Sequence, residues 1–461
     1  MKRRHFLAAS GSAALLGTTA ASRVVTDLPG TAQELTIQSA SYDLGQGTTN
    51  GLISLSPDAP PPVLRGTQGQ PMAFDVINTT QDYTAMHWHG LRIPNGMDGV
   101  PYLTQFPIAP DERFPYRYTT PDAGTYWYHP HCMTMVQMTR GLTGPLIIEE
   151  AEPVPFDAEH IVNLKDFRLD GEGAFLPAFT ARGAARSGTF GNVITANWQH
   201  SPTYEAPTGG IVRLRVINTD TTRVHRMFFK EATGRILAWD GHPVRVPIPM
   251  PTEAEPLHIG PGQRFDVALV MPEGEGQTVE LWSRLPGTPR VMTTLRSVGA
   301  NLGRVQEDIV DLPPNPIAVP DLDAAQTHEF VFGWSPEGDA PNNGFCGDSE
   351  YIFWSINRTP WAGDAEPGVG PLATLEQGKS YICRLMNESP NAHPIHLHGL
   401  VFAPILSNQG PVRANWTDTY LLRKGETVDI AFVADNPGDW AFHCHVIEHQ
   451  KTGLAGYVRV V

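Results

Sequence analysis

The sequence predicts an all-β chain of three consecutive β-sandwich domains, and three observations carry that expectation. First, three alternating apolar runs end in asparagine, over residues 73–78, 212–218 and 381–387. Nine and eleven residues past Asn78 stand His87 and His89, and the same steps from Asn387 reach His396 and His398. From Asn218 they reach Met227 and Phe229. Second, a glycine repeats in phase. Five and seven residues past Gly124 and Gly438 come His129 and His131, and His443 and His445. The corresponding steps from Gly276 give Leu281 and Ser283. Third, 44 Gly and 42 Pro in 461 residues supply many turns, and period-two strands such as 212–217 and 428–432 lie between them.

Read in order, the chain opens with Lys2-Arg3-Arg4, an apolar run from Leu7 to Leu16, and the small residues Thr19-Ala20-Ala21. This predicts a twin-arginine signal and leader over 1–30, handed to the twin-arginine export machinery, with the mature protein periplasmic or secreted. The first sandwich is expected over 31–150, the second over 151–316 and the third over 317–461, with a proline-rich linker, Leu312-Pro313-Pro314-Asn315-Pro316, before the last. No later apolar run approaches the ~20 residues that span a bilayer. The net charge of −15 with no basic stripe argues against a nucleic-acid partner. Of four cysteines, Cys132, Cys346 and Cys383 allow one disulfide at most, with three possible pairings. A small buried thiol is the alternative at each.

Histidine placement carries the chemistry. With 17 His, chance supplies about 0.6 His-x-His triplets; four are present, at 87/89, 129/131, 396/398 and 443/445. In a strand, residues two apart share a face, so each pair can present both rings to one metal centre. Cys444 sits between His443 and His445 and points to the opposite face. The remaining histidines include His393 and His449, and a mononuclear blue-copper site needs one Cys and two His. Eight His remain for three further metals. One tripeptide thus joins an electron acceptor to a second metal cluster.

Four segments, MHWHGLRIPNGMDGVPYLTQFPI, GTYWYHPH, HPIHLHG and GDWAFHCHVIEHQKTGL, resemble the copper-binding segments of the multicopper oxidases, in that family's order. The resemblance implies three cupredoxin-like Greek-key β-sandwich domains and four copper ions. It places the type 1 copper at His393, Cys444 and His449, and the type 2 copper at His87 and His396. The type 3 pair falls to His89, His131 and His445 with His129, His398 and His443, the division of these six between two ions being left open. It implies catalytic roles for Cys444, His443 and His445 in electron transfer, and for Asp98 as a proton donor near the type 2 copper. Asp98 before Gly99 is also ordinary turn chemistry.

Departures from the family matter too. Gln450 stands where many bacterial relatives carry an acid, and Glu448 is the nearby carboxylate. Leu454 falls where an axial Met is common and cannot coordinate, which raises the expected type 1 potential. Met133, Met135 and Met138 either fill core or pass cuprous ion inward. The expected activity is oxidation of phenols or aromatic amines coupled to four-electron reduction of O2 to water. The alternative is a metallo-oxidase of Cu(I), Fe(II) or Mn(II) in copper tolerance. The partners expected are O2 and a small reductant or metal ion, acting on a monomer. The middle domain is expected to be a metal-free spacer.

Overall fold

The computed structural model describes residues 32–285, 287–336, 346, 351–361 and 370–461. The leader assigned to 1–30 lies outside these. The described chain is almost entirely β, in six sheets. Three large apolar cores hold it together, drawn from residues 35–148, 162–295 and 330–460. Each core takes side chains from two sheets, which is the cupredoxin-like sandwich expected.

The repeat read in sequence is a repeat of topology. In each unit the Asn-ending strand pairs parallel with the unit's opening strand: Pro71–Asn78 with Gln33–Asp43, Ile211–Asn218 with Ala158–Phe167, and Ser380–Asn387 with Gln326–Trp334. On its other edge it pairs antiparallel, with Arg113–Thr119, Arg264–Val270 and Thr427–Val433. The asparagines recur because each makes the same turn. Their side-chain oxygens accept the N–H two residues on, at Thr80, Asp220 and Ser389. Their amides donate across the turn to Ile108, Ile259 and Arg423 carbonyls, among others. A buried amide satisfied on both ends sets where the strand stops and the next begins.

Beyond that turn, the ligand-bearing strands pair so that histidines lie directly opposite. His87 faces His129 across Met86–His89 and Gly124–Pro130, and His396 faces His443 across His393–Leu397 and Gly438–Cys444. Gly124 (φ 146°) is held against the Gly241 carbonyl, which an added Cβ would meet at 1.9 Å. The middle unit departs from the expected alignment. Met227 pairs with Ser283, and Phe229 with Leu281, two residues off the register of the outer units. A slip of two keeps every side chain on its face, so the apolar residues still point into the core.

The structure places the cysteines and two of the three methionines. Cys132 and Cys346 form a disulfide, and Cys383 is a buried free thiol. Met135 and Met138 pack with Trp127, Ile217 and Ile447 as core. Among the described residues, no helix is long and apolar enough to cross a membrane.

Met227 is fully buried. Met227→Ala should therefore cost about 2–5 kcal/mol of stability by opening a cavity while leaving metal content unchanged. Denaturant unfolding paired with metal analysis checks this, and loss of bound metal would contradict it.

Candidate metal centre

All ten histidines and Cys444 named from the sequence are buried, and they gather into two sites. The first is His393, Cys444 and His449. Cys444 Sγ lies 3.5 Å from His393 Nδ1 and 3.6 Å from His449 Nδ1. His449 arrives from the short helix Ile447–Lys451. Leu454 returns the chain to this site: its carbonyl accepts the Cys444 N–H at 3.0 Å, and its side chain packs in the same apolar core as Cys444.

The second site lies where the first and third sandwiches meet. Rings from one meet rings from the other face to face, His87 on His398 at 3.9 Å and His89 on His396 at 3.8 Å. Ligand atoms converge in groups: His87, His89 and His396; His89, His129 and His445; His131, His398 and His443. These groups divide the six histidines whose division the sequence left open. His129 belongs with His89 and His445, and His131 with His398 and His443. The reason is positional. The rings of His129 and His131 lie 6.1 Å apart, centre to centre, and approach different partners, His129 5.2 Å from His445 and His131 5.1 Å from His398.

Whether these residues fit metal ions can be tested by asking where each ring keeps its proton. His87 Nδ1 donates to the Asp98 carbonyl, His396 Nδ1 to the Asp418 carbonyl and His129 Nδ1 to the Pro130 carbonyl. In each case the opposite nitrogen, Nε2, is buried with no hydrogen-bond partner. His89 is reversed, with Nε2 beside Asp418 Oδ1 at 3.0 Å and Nδ1 unpartnered. His443 and His398 also place their protons outward, on the Cys444 carbonyl and on Asp98 Oδ2. Their Nε2 atoms then face each other at 3.0 Å, two lone pairs with no proton between. At the first site His449 Nε2 donates to the Arg186 carbonyl, and His393 Nε2 pairs with Ser389 Oγ. That leaves the two Nδ1 atoms 3.1 Å apart. Each unmet buried nitrogen costs about 1–3 kcal/mol. A set of converging lone pairs is stable only around cations, and outward protons are how metal-binding histidines are held in one tautomer.

Electrostatics agree. Burial holds His89, His129, His131, His393, His398, His443 and His445 well below the ordinary imidazole value, with neighbouring rings adding to it. Burial brings His449 down to about 4 and pushes the Cys444 thiol up. The rings are therefore neutral ligands without competing for protons at neutral pH.

Asp98 is buried where the sequence placed it, touching His87 and His398. Glu448 is not at the cluster. Its Oε1 accepts the Thr189 N–H at 2.8 Å, and burial raises its carboxyl to about 7. Gln450 lies 3.3 Å from His131.

The sequence reading missed Asp418 and Arg264. Asp418 bonds His89 and, through its carbonyl, His396, and it pairs with Arg264 on both oxygens at 2.9 and 2.8 Å. Neither residue lies in a His-x-His segment, and no spacing singles either out. Arg264 belongs to the middle unit. Among the described residues the middle unit offers no ligand to these groups, yet its Arg264 holds Asp418 and its Gly262 lies against the cluster. An added Cβ on Gly262 would meet His89 at 3.0 Å and His445 at 3.2 Å.

Comparison with known proteins accords with this geometry. Residues 36–153 and 349–461 each match a family profile described as multicopper oxidase. A multi-copper oxidase structure from Pseudomonas parafulva is 40% identical, with a TM-score of 0.81, covering 93% of this chain and 100% of that one. Multicopper oxidase MmcO of Mycobacterium tuberculosis is 29% identical over 91% of this chain and 85% of that protein. At greater distance stand Laccase-1 of Botryotinia fuckeliana (25% identical, covering 93% and 82%) and Copper resistance protein A of Escherichia coli (24%, covering 95% and 94%). The chain belongs to the multicopper oxidase family, whose members are copper-dependent oxidoreductases.

The buried rings make a testable demand on metal-free protein. In the fold they resist protonation, while the unfolded chain takes up protons near the ordinary imidazole value of 6.5. Below that pH the unfolded state binds more protons, so stability falls with pH. The Tm of copper-free protein should hold above about pH 7 and decline progressively below about pH 6.5. A Tm independent of pH down to about pH 4 would show that the rings titrate freely.

Proposed function

We propose that this protein is a laccase-like oxidase, coupling four one-electron oxidations of a phenol or aromatic amine to reduction of O2 to two waters. The observation that carries the reading is the convergence of unprotonated nitrogens in two sites joined through the tripeptide His443-Cys444-His445. In this reading His393, Cys444 and His449 hold a type 1 copper. His87 and His396 hold a type 2 copper. The two triads, His89/His129/His445 and His131/His398/His443, hold the type 3 pair. Bound copper supplies one-electron redox chemistry at the first site and O2 binding at the second.

The chain's own residues supply the rest. Cys444 and its two flanking histidines form the shortest covalent link between the sites. Asp98 spans His87 and His398 and is the carboxylate placed to relay protons on the cluster side. Leu454 offers no ligand atom, and the dry wall around Cys444 favours the lower charge of reduced copper. That raises the potential and suits phenolic reductants. One chain contributes every ligand, which supports a monomer. The disulfide supports an oxidising compartment, in keeping with a twin-arginine leader over 1–30 and a periplasmic or secreted protein. The units are taken as 31–150, 151–316 and 317–461. The alternative reading, oxidation of Cu(I), Fe(II) or Mn(II), is favoured by the copper-resistance relative.

Two outcomes are expected. Metal analysis should find four coppers per chain, and Cys444→Ser should lose the blue absorption and the oxidase activity while keeping the fold. One or two coppers at full loading, or a substrate-reducible blue band in the variant, would sink the assignment. Asp98→Asn should slow reoxidation by O2 by about 10²-fold or more, on the scale of a lost general acid, and leave anaerobic reduction by substrate nearly unchanged. Stopped-flow measurement of both half-reactions decides this, and slowing confined to the reductive half would remove Asp98 from proton delivery.

A further inference from the structure

Neither imidazole of the His393–Cys444–His449 site offers an open edge. Both rings are fully buried. The outer nitrogen of His449 is capped by the Arg186 carbonyl at 2.6 Å, and that of His393 by Ser389 Oγ at 2.7 Å. The segment that carries Arg186 crosses over from the middle unit, and the Ala184 carbonyl in it accepts the Trp354 Nε1–H at 2.7 Å. A reductant in solvent therefore cannot touch either ring.

An aromatic column fills that gap. Trp354 is buried against both imidazoles, its ring 5.1 Å from His393 and 4.8 Å from His449 between centres. Trp334 stacks on Trp354 at 4.2 Å and 15° between planes. The stack is built into the sheet: Trp334 and Trp354 are directly opposed residues of the antiparallel strands Gln326–Trp334 and Trp354–Ile356. Trp334 is 46% exposed, so its indole reaches solvent at the end of the column. Tyr351 and Phe353 stack at 5.4 Å and 8°, and the Phe353 carbonyl accepts the N–H of Ser335, the residue after Trp334, at 2.9 Å.

We propose that the exposed indole of Trp334 is the contact surface for a planar aromatic reductant, and that Trp354 carries the contact inward to the imidazoles. The proposal rests on the laccase-like reading above and names its substrate class. A phenol or arylamine stacks on an indole with the geometry that aromatic pairs prefer, whereas an indole face offers a hydrated metal ion no ligand atom. The donor gives up one electron, and a phenol also releases its hydroxyl proton to solvent. The electron is accepted by the copper that the family's activity requires at the Cys444 site. The indoles end as they began.

The test uses copper-loaded enzyme and two variants, Trp334→Ala and Trp334→Phe. Calorimetric titration with 1,3-dimethoxybenzene, an ether with no phenolic hydroxyl to oxidise, reads binding apart from turnover. Steady-state rates on 2,6-dimethoxyphenol read KM against kcat. The expected result for Trp334→Ala is about tenfold weaker binding and an equal rise in KM, as for loss of one stacked aromatic contact. The blue absorption band should be unchanged, and Trp334→Phe should recover most of the binding. Undiminished ether binding and KM in Trp334→Ala would overturn the proposal, as would a shifted blue band, which would mark Trp334 as structural. Failure of the wild-type enzyme to oxidise any phenol would instead overturn the laccase-like reading, and the binding titration would still decide the role of Trp334.

Discussion

The constraint on which the rest of this structure depends is that many imidazoles must stay neutral, and keep their lone pairs inward, in a dry interface. Burial alone would make them neutral. It would not choose the tautomer. The choice is made by a ring of outward acceptors: the carbonyls of Asp98, Pro130, Asp418 and Cys444, and the carboxylates of Asp98 and Asp418. Most of these are backbone groups fixed by the strands themselves. A carbonyl cannot donate, so it can only accept the ring proton, and the free nitrogen is turned inward. The sheet thus decides the protonation pattern of the site.

The middle unit takes part in this without contributing a ligand. Arg264 is fully buried and pairs with Asp418 on one side and Asp240 on the other. Asp240 also accepts from Thr417 Oγ1 and the Arg264 N–H, and burial, with Asp418 nearby, raises its carboxyl to about 8. Against burial, Arg264 together with His89 and His396 holds Asp418 well below the usual carboxylate range. Asp418 therefore stays an anion beside His89 and His396. A buried ion pair of this kind adds little net stability, and its value lies in fixing geometry. The middle unit thereby shapes the histidine cluster, and Gly262 has no room for a side chain because its backbone lies against His89 and His445.

The first site is organised on the opposite principle. Its thiol and two imidazoles lie in the apolar core of the third unit, with Leu454, Trp354 and Val446 among the packed residues, and the Arg186 and Ser389 oxygens close its outer edge. The second site is rich in carboxylates and hydroxyls that can move protons, while the first is dry and aromatic. The two environments thus differ in kind, and they are linked by the tripeptide His443-Cys444-His445.

Much of this was legible in the residues themselves. Spacing picked out eight of the candidate histidines and Cys444, because period-two geometry and the Asn and Gly repeats are local properties of a strand and its turn; His393 and His449 entered through the family resemblance. The threefold repeat followed from the same steps, since a buried Asn turn imposes the same count wherever it recurs. Tertiary structure decided what depends on approach between distant segments. It set which rings share a site, dividing His129 from His131, because neighbours on one strand face different partners across the interface. It slipped the Met227–Ser283 register by two residues, a shift that leaves the apolar pattern unaltered and so leaves no trace in sequence. It chose Cys346 as the partner of Cys132. It brought Asp418, Arg264, Arg186 and Trp354 to sites that none of them marks by spacing, because long-range electrostatic pairing and stacking carry no periodicity along the chain.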